Sequence, residues 1–196
     1  MTRAAVLTIG HSNHSQEVLL ALLARHGVTA VCDVRSSPYS RRHPQFNRER
    51  LREALDRHGI AYHFLGRELG GRPSDPACYE NGQVRYRRVA GTELFETGIE
   101  QVMREAASHR VALLCAEREP LACHRTLLVS RALEVRGVQV NHIHADGQLE
   151  PHEDAMTRLL GMVGLAEPDM FRTREERIEE ACRRWEERIT TKALKK

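Results

Sequence analysis

Apolar residues along the chain fall into two alternating kinds of pattern. Short continuous runs at 6–9, 28–34, 60–65, 111–117 and 138–145 have the length and β-branched content of buried strands. Between them the apolar positions recur at helical spacing. Ser15 is placed to cap a first helix carrying Val18, Leu19, Leu22 and Leu23, with Gly27 to stop it. Asn47 is placed to cap a second, carrying Leu51, Ala54 and Leu55 and closed by Gly59. Leu94, Phe95, Ile99, Val102 and Met103 predict a third, and Leu127, Leu128, Ala132 and Leu133, ended by Gly137, a fourth. The stretch 66–88 shows no sustained period and holds Gly70-Gly71, Pro73, Pro76 and Asn81-Gly82. A loop that long in a compact domain predicts a functional element such as a lid.

Strand and helix alternate throughout, which favours βαβ units. The expected fold is α/β: one domain with a mostly parallel sheet flanked by helices, a Rossmann-like three-layer arrangement, over residues 1–165. After Pro168 the chain turns charged, with Ile178, Cys182, Trp185 and Ile189 at roughly helical intervals. Residues 166–196 therefore read as a C-terminal amphipathic helical extension. Its apolar stripe serves packing on its own domain in the first instance and a homodimer in the second.

The chain has 196 residues, 41% hydrophobic and 29% charged, a composition that fits a globular domain. No apolar run is long enough to span a bilayer, and residues 1–10 lack the features of a signal peptide, so the expected location is cytoplasmic, with no membrane partner. Five cysteines at irregular spacing fit reduced thiols better than a disulfide framework. A formal charge of +3 does not by itself call for nucleic acid. Arginines crowd two stretches, however: Arg35, Arg41, Arg42, Arg48, Arg50 and Arg52, then Arg67, Arg72, Arg85, Arg87 and Arg88. Guanidinium suits phosphate and carboxylate, and solubility is the competing explanation.

In a parallel sheet all carboxyl ends share one edge, where ligands bind in α/β proteins. Those ends carry His11 and Ser12, Asp33 and Arg35, Gly66 with Arg67, Cys115 and Glu117, and His142 with His144. The amino ends at Val6, Val28, Ile60, Val111 and Val138 are apolar. The asymmetry predicts a site. Cys123-His124-Arg125 falls where the fourth helix should begin, a position attractive to anions and able to activate a thiol. The expected catalytic groups are Glu117, Asp33, His11 and Cys123. Ser12, Arg35, Cys115, His124 and Arg125 are expected to bind substrate. Each has a plainer alternative: Cys115 as a buried small hydrophobe, Asp33 and Arg35 as a structural ion pair, and Glu117 as an anchor for Arg125 or His124.

Several familiar motifs are missing. The glycines of a dinucleotide fingerprint, the lysine of a P-loop and a Gly-x-Ser-x-Gly elbow are all absent. No cofactor is called for. A metal ion is a subordinate option, with Cys115, Cys123, His124, His142 and His144 as ligand types but no Cys-x-x-Cys pair.

Taken together, Thr8-Ile9-Gly10-His11-Ser12, Asp33-Val34-Arg35 with Pro38 and Ser40, Leu69-Gly70-Gly71, and Cys115-Ala116-Glu117 followed by Pro120 and Cys123-His124-Arg125 resemble the DUF488 family, from about Thr8 to Ala145. The resemblance implies a single α/β domain. It marks His11, Asp33, Arg35, Cys115, Glu117, Cys123, His124 and Arg125 as motif positions and assigns them no roles. The preferred functional reading is an enzyme, a hydrolase or group transferase, acting on a phosphate-bearing substrate such as a nucleotide or nucleic acid. The alternatives are a non-catalytic nucleic-acid-binding module, with Tyr39, Phe46, Tyr79 or Tyr86 to stack on bases, and a small-ligand sensor.

Overall fold

The structure, a computed structural model, describes residues 5–167 and 170–194. Its centre is a sheet of β1 (Ala5–Gly10), β2 (Ala30–Asp33), β3 (Ala61–Phe64), β6 (Val111–Cys115), β7 (Gln139–Ile143) and β8 (Leu149–Pro151). Two further strands, β4 (Tyr79–Glu80) and β5 (Gln83–Val84), pair separately as a hairpin. The order in the main sheet is β3-β2-β6-β1-β7-β8. All pairings are parallel except β7 with β8. The α/β fold read from the sequence is the one observed.

Alternation along the strands separates two cores. Val6, Val111, Leu113 and Cys115 face one side, with Phe95, Ile99, Leu133, Met156 and Leu159. Leu7, Ile9, Ala112 and Leu114 face the other, with Leu19, Leu23, Leu51 and Leu55. The second side is covered by α1 (Gln16–Arg25) and α2 (Arg48–Asp56), the first by α3 (Tyr86–Ala90), α4 (Glu93–Ala106), α5 (Arg131–Val135) and α6 (His152–Met162). The chain therefore leaves β1 toward one face and its neighbour β6 toward the other. That reversal opens a crevice at the strands' carboxyl ends.

Local signals account for much of this. The Ser15 hydroxyl accepts from the Val18 amide at 3.3 Å and caps α1, and Gly27 leaves the helix at φ 62°. Asn47, expected to cap α2, makes no such bond. Its Oδ1 accepts from the Ser40 amide instead and pins the preceding loop. Residues 66–88 are not the featureless loop expected. They hold the β4–β5 hairpin, turned by Asn81 and Gly82 at φ 51° and 75°, both left-handed as a tight hairpin of this kind requires. The segment 146–167 contributes β8 and α6, for which no expectation was formed.

The C-terminal helix α7 (Arg174–Leu194) is part of the body of the domain. Ile178, Ala181 and Cys182 belong to the first core, with Trp185 and Ile189 packed against it. The apolar stripe considered for a homodimer is thus taken up by the chain's own core. Among the described residues no helix is long and apolar enough to cross a membrane.

Candidate functional site

β6 delivers Cys115 to the crevice. The chain then makes a short turn at Pro120–Ala122, capped by the Glu119 carboxylate on the Leu121 amide at 3.2 Å. This turn brings Cys123 back beside Cys115. Both thiols donate to one carboxylate oxygen, Glu117 Oε2, at 2.9 Å from Cys115 and 3.1 Å from Cys123. His124 Nδ1 lies 3.8 Å from each sulfur, and its Nε2 donates to the Val34 carbonyl at 2.9 Å. Cys115, Cys123 and His124 form a group able to ligate a metal ion, their donor atoms all within 4.8 Å of one another.

The two thiols and the imidazole are buried while Glu117 reaches solvent, and desolvation shapes the protonation of the group. It pushes the Cys115 thiol well above its ordinary value. It also works to raise the Glu117 carboxyl, but the hydrogen bonds from both thiols and the charge of His124 outweigh it, and the net shift is downward. For His124 burial acts downward, while Cys115 and Glu117 act upward and prevail. An anionic carboxylate beside a protonated Cys115 thiol follows.

Close approach of backbone makes this packing possible. A Cβ on Gly10 would lie 1.8 Å from the Glu117 carbonyl oxygen, and one on Gly71 would lie 2.8 Å from the His124 ring. Backbone excludes any side chain at Gly10, and at Gly71 a side chain would force the ring or the loop to move. The Gly10 and Gly71 positions of the sequence motif thus serve the site's packing.

Arg125 follows directly, in π-helical turns at Arg125–Ser130 that run on into α5. It is fully buried. Its guanidinium donates to the Glu117 carbonyl at 2.6 Å, the Arg118 carbonyl at 3.4 Å and Thr8 Oγ1 at 3.3 Å. It is turned into the protein, braces the 117–123 loop, and is not in the wall of the crevice. A polar chain leads on from it. Thr8 Oγ1, which accepts from Arg125, is also hydrogen-bonded to His142 Nδ1 at 2.8 Å, and His142 Nε2 is hydrogen-bonded to His152 Nδ1 at 3.0 Å. Burial holds His142 far below the usual imidazole value and His152 down to about 4.

Asp33 and Arg35 form the ion pair that their spacing allows. Arg35 Nε donates to Asp33 Oδ1 at 2.8 Å and Nη2 to Oδ2 at 2.6 Å, both residues buried. Tyr62 adds a hydrogen bond to Asp33 at 2.7 Å, and Arg35 Nη1 donates to the Phe46 carbonyl at 2.9 Å. Asp33 therefore holds Arg35 at the crevice wall. His11 stacks on Phe46 with ring centres 4.4 Å apart, and its Nδ1 donates to the Ser12 carbonyl. Burial above all, with the nearby Arg35 charge, lowers its pKa to about 4. Ser12 lies outside the crevice lining. His144 pairs with Glu150 at 3.0 Å, and neither it nor His142 joins the cluster.

A family model described as "Domain of unknown function DUF488" matches residues 15–132. The chain belongs to the DUF488 family. The matched stretch contains every member of the Cys115–Glu117–Cys123–His124 cluster and leaves out His11 and α7. No curated protein matches the chain. No solved structure matches it either.

In this DUF488 domain the cluster opens onto a cavity of about 610 Å³. His11 and Arg35 line it together with Cys115, Glu117, Cys123 and His124. So do the Arg72 side chain and the β4–β5 hairpin of the stretch expected to form a lid, and residues to which the sequence reading gave no role there: the hydroxyls of Ser36, Ser37 and Ser40, and Ile189 and Thr190 of α7. The Asn-Gly turn was a legible signal for the hairpin. Nothing local to α7 announces that it reaches the crevice.

Proposed function

We propose that the protein is an enzyme, a hydrolase or group transferase, acting on a phosphate-bearing substrate in the crevice beside β6. One observation carries the reading. An anionic carboxylate, Glu117, stands at the topological switch point with two buried thiols and a buried imidazole against one side of it and solvent on the other. A carboxylate so placed can take a proton from an attacking water or hydroxyl and return it to the leaving group. Arg72 and the hydroxyls of Ser36 and Ser37 are the lining groups suited to an anion. Arg35 is neutralised by Asp33 and supplies position more than net charge. His11, neutral at physiological pH, offers Nε2 as an acceptor. Two chemistries are open to the thiols: attack by one of them, or ligation of a metal ion by both.

Arg41 and Arg42 are exposed on the loop that also supplies Tyr39, Ser40 and His43 to the lining. This rim favours a nucleotide or nucleic-acid strand as the phosphate bearer. The test is mass-spectrometric analysis of products after incubating the full chain with nucleotides, sugar phosphates and short oligonucleotides. The expected result is turnover that falls at least ~100-fold in Glu117→Gln. Salt-dependent oligonucleotide binding that Glu117→Gln leaves intact, with no turnover on any substrate, would replace the enzyme with a binding module. Retention of a small ligand without turnover would make it a sensor.

A further inference from the structure

We infer that Cys115, Cys123 and His124 are the ligands of a divalent transition-metal ion of the zinc class. The inference goes beyond the proposed turnover and does not depend on it. His124 Nε2 faces a carbonyl, Val34 O, and must carry the proton there. In the neutral ring Nδ1 is then a bare lone pair. It faces two sulfurs at 3.8 Å. Both thiol protons point elsewhere, to Glu117 Oε2 at 2.9 and 3.1 Å. Three lone-pair donors thus converge in a buried space; the Arg125 amide donates to Cys123 Sγ from the backbone side at 3.4 Å, and a cation is the group that would satisfy all three at once. A proton on Nδ1 would satisfy the nitrogen. A metal ion would satisfy all three.

The dimensions suit a metal. Zinc–sulfur bonds of about 2.3 Å and zinc–nitrogen bonds of about 2.0 Å, at a tetrahedral angle, place sulfur and nitrogen roughly 3.6 Å apart. Both observed separations are 3.8 Å. The Val34 carbonyl plays the part that an outer hydrogen-bond partner plays for metal-bound histidines, fixing the tautomer and aiming the ring. Thiolate with imidazole selects zinc, iron or cobalt over magnesium or calcium. Binding releases the two thiol protons, one from each sulfur: Glu117, already hydrogen-bonded to both, can take one, and the other leaves to water in the open crevice. Three protein ligands, all of them lining the cavity, are the number typical of catalytic zinc, which keeps a position for water or substrate, whereas structural zinc takes four.

The experiment is elemental analysis of the purified full-length protein, followed by removal of metal under reducing conditions and titration with Co²⁺. The expected result is about one ion per chain, with sulfur-to-cobalt charge-transfer absorption and the intense visible bands of tetrahedral cobalt. Cys115→Ser and Cys123→Ser should each lose stoichiometric binding. Cys78→Ser and Cys182→Ser should keep it, and Glu117→Gln should keep it within roughly 100-fold in affinity. Because ligand variants can fail to fold, alkylation of the unaltered chain supplies a second measurement. Added Zn²⁺ should slow labelling of Cys115 and Cys123 relative to the metal-free protein. Absence of cobalt–thiolate absorption, or equal labelling with and without Zn²⁺, overturns the metal site. The Glu117→Gln turnover test is unaffected by that outcome.

Discussion

Arg125 binds the main-chain carbonyl of Glu117, at 2.6 Å, and not its carboxylate. The backbone of one residue is therefore anchored by a buried guanidinium while its side chain stays available to the thiols. The two parts of Glu117 should separate under mutation. Arg125→Ala removes a fully buried side chain and orphans the carbonyls of residues 117 and 118, at a cost of about 3–5 kcal/mol. Glu117→Gln keeps an oxygen to accept from a thiol and should cost no more than about 1.5 kcal/mol. Urea denaturation of both variants checks this. Equal losses would mean that the carboxylate, too, is mainly structural.

Three buried histidines make stability depend on pH. His11 and His152 are held down to about 4 and His142 well below the usual value, in each case first by burial. Between pH 6.5 and 4 the unfolded chain binds protons that the folded chain refuses, so stability falls as pH falls through that window. For His11 and His152 a shift of this size is worth ~3 kcal/mol each by pH 4, and His142 acts in the same direction. Denaturation midpoints measured from pH 7 to 4.5 should drop steadily, and His152→Phe should flatten the curve. A stability that does not change over that range would show that these rings protonate in place.

Gly71→Ala tests whether the imidazole needs its exact seat. The new methyl would sit 2.8 Å from His124 Cγ, so ring or loop must shift. Misplacement of that order costs up to ~100-fold in rate, while the surface position of the loop should limit the stability loss to about 1–2 kcal/mol. Substrate turnover and the thermal midpoint, measured on the same sample, separate the two. A wild-type rate would mean that the loop yields and the ring does not.

Legibility followed the range of the interactions. Ser15 and Gly27 act on the helix beside them, and both were read correctly. The strands were legible because Val111–Cys115 is buried on both faces and needs apolar residues throughout. Parallel strands then brought Cys115, Glu117, Cys123 and His124 to one edge, as expected. Residue type and helix-start position point Arg125 toward a substrate anion but say nothing about the direction of its side chain. Its inward turn is set by the path of the 117–123 loop, whose Glu117 carbonyl it meets, and by Thr8, more than a hundred residues away. Asn47 was read as a cap for the same reason: its competing partner, the Ser40 amide, is set by the loop's path. The contribution of Ile189 and Thr190 to the cavity rests on the docking of α7, a long-range fact with no local signature.

That docking gives the last prediction. Trp185 on α7 donates its indole N–H to the Leu121 carbonyl at 2.8 Å. Leu121 is fully buried in the turn that returns Cys123 to Cys115. A helix outside the stretch matched by the family model thus holds the loop that builds the cluster. Trp185→Phe keeps most of the ring and orphans a buried carbonyl, which should cost about 1–3 kcal/mol. Arg184→Ala, on an exposed side chain paired with Glu180, should change stability by less than about 0.5–1 kcal/mol. Hydrogen exchange localises the effect: amides of residues 117–123 should lose protection in Trp185→Phe and keep it in Arg184→Ala. Unchanged protection there, with stability lost elsewhere, would mean that α7 supports the domain without steadying the cluster.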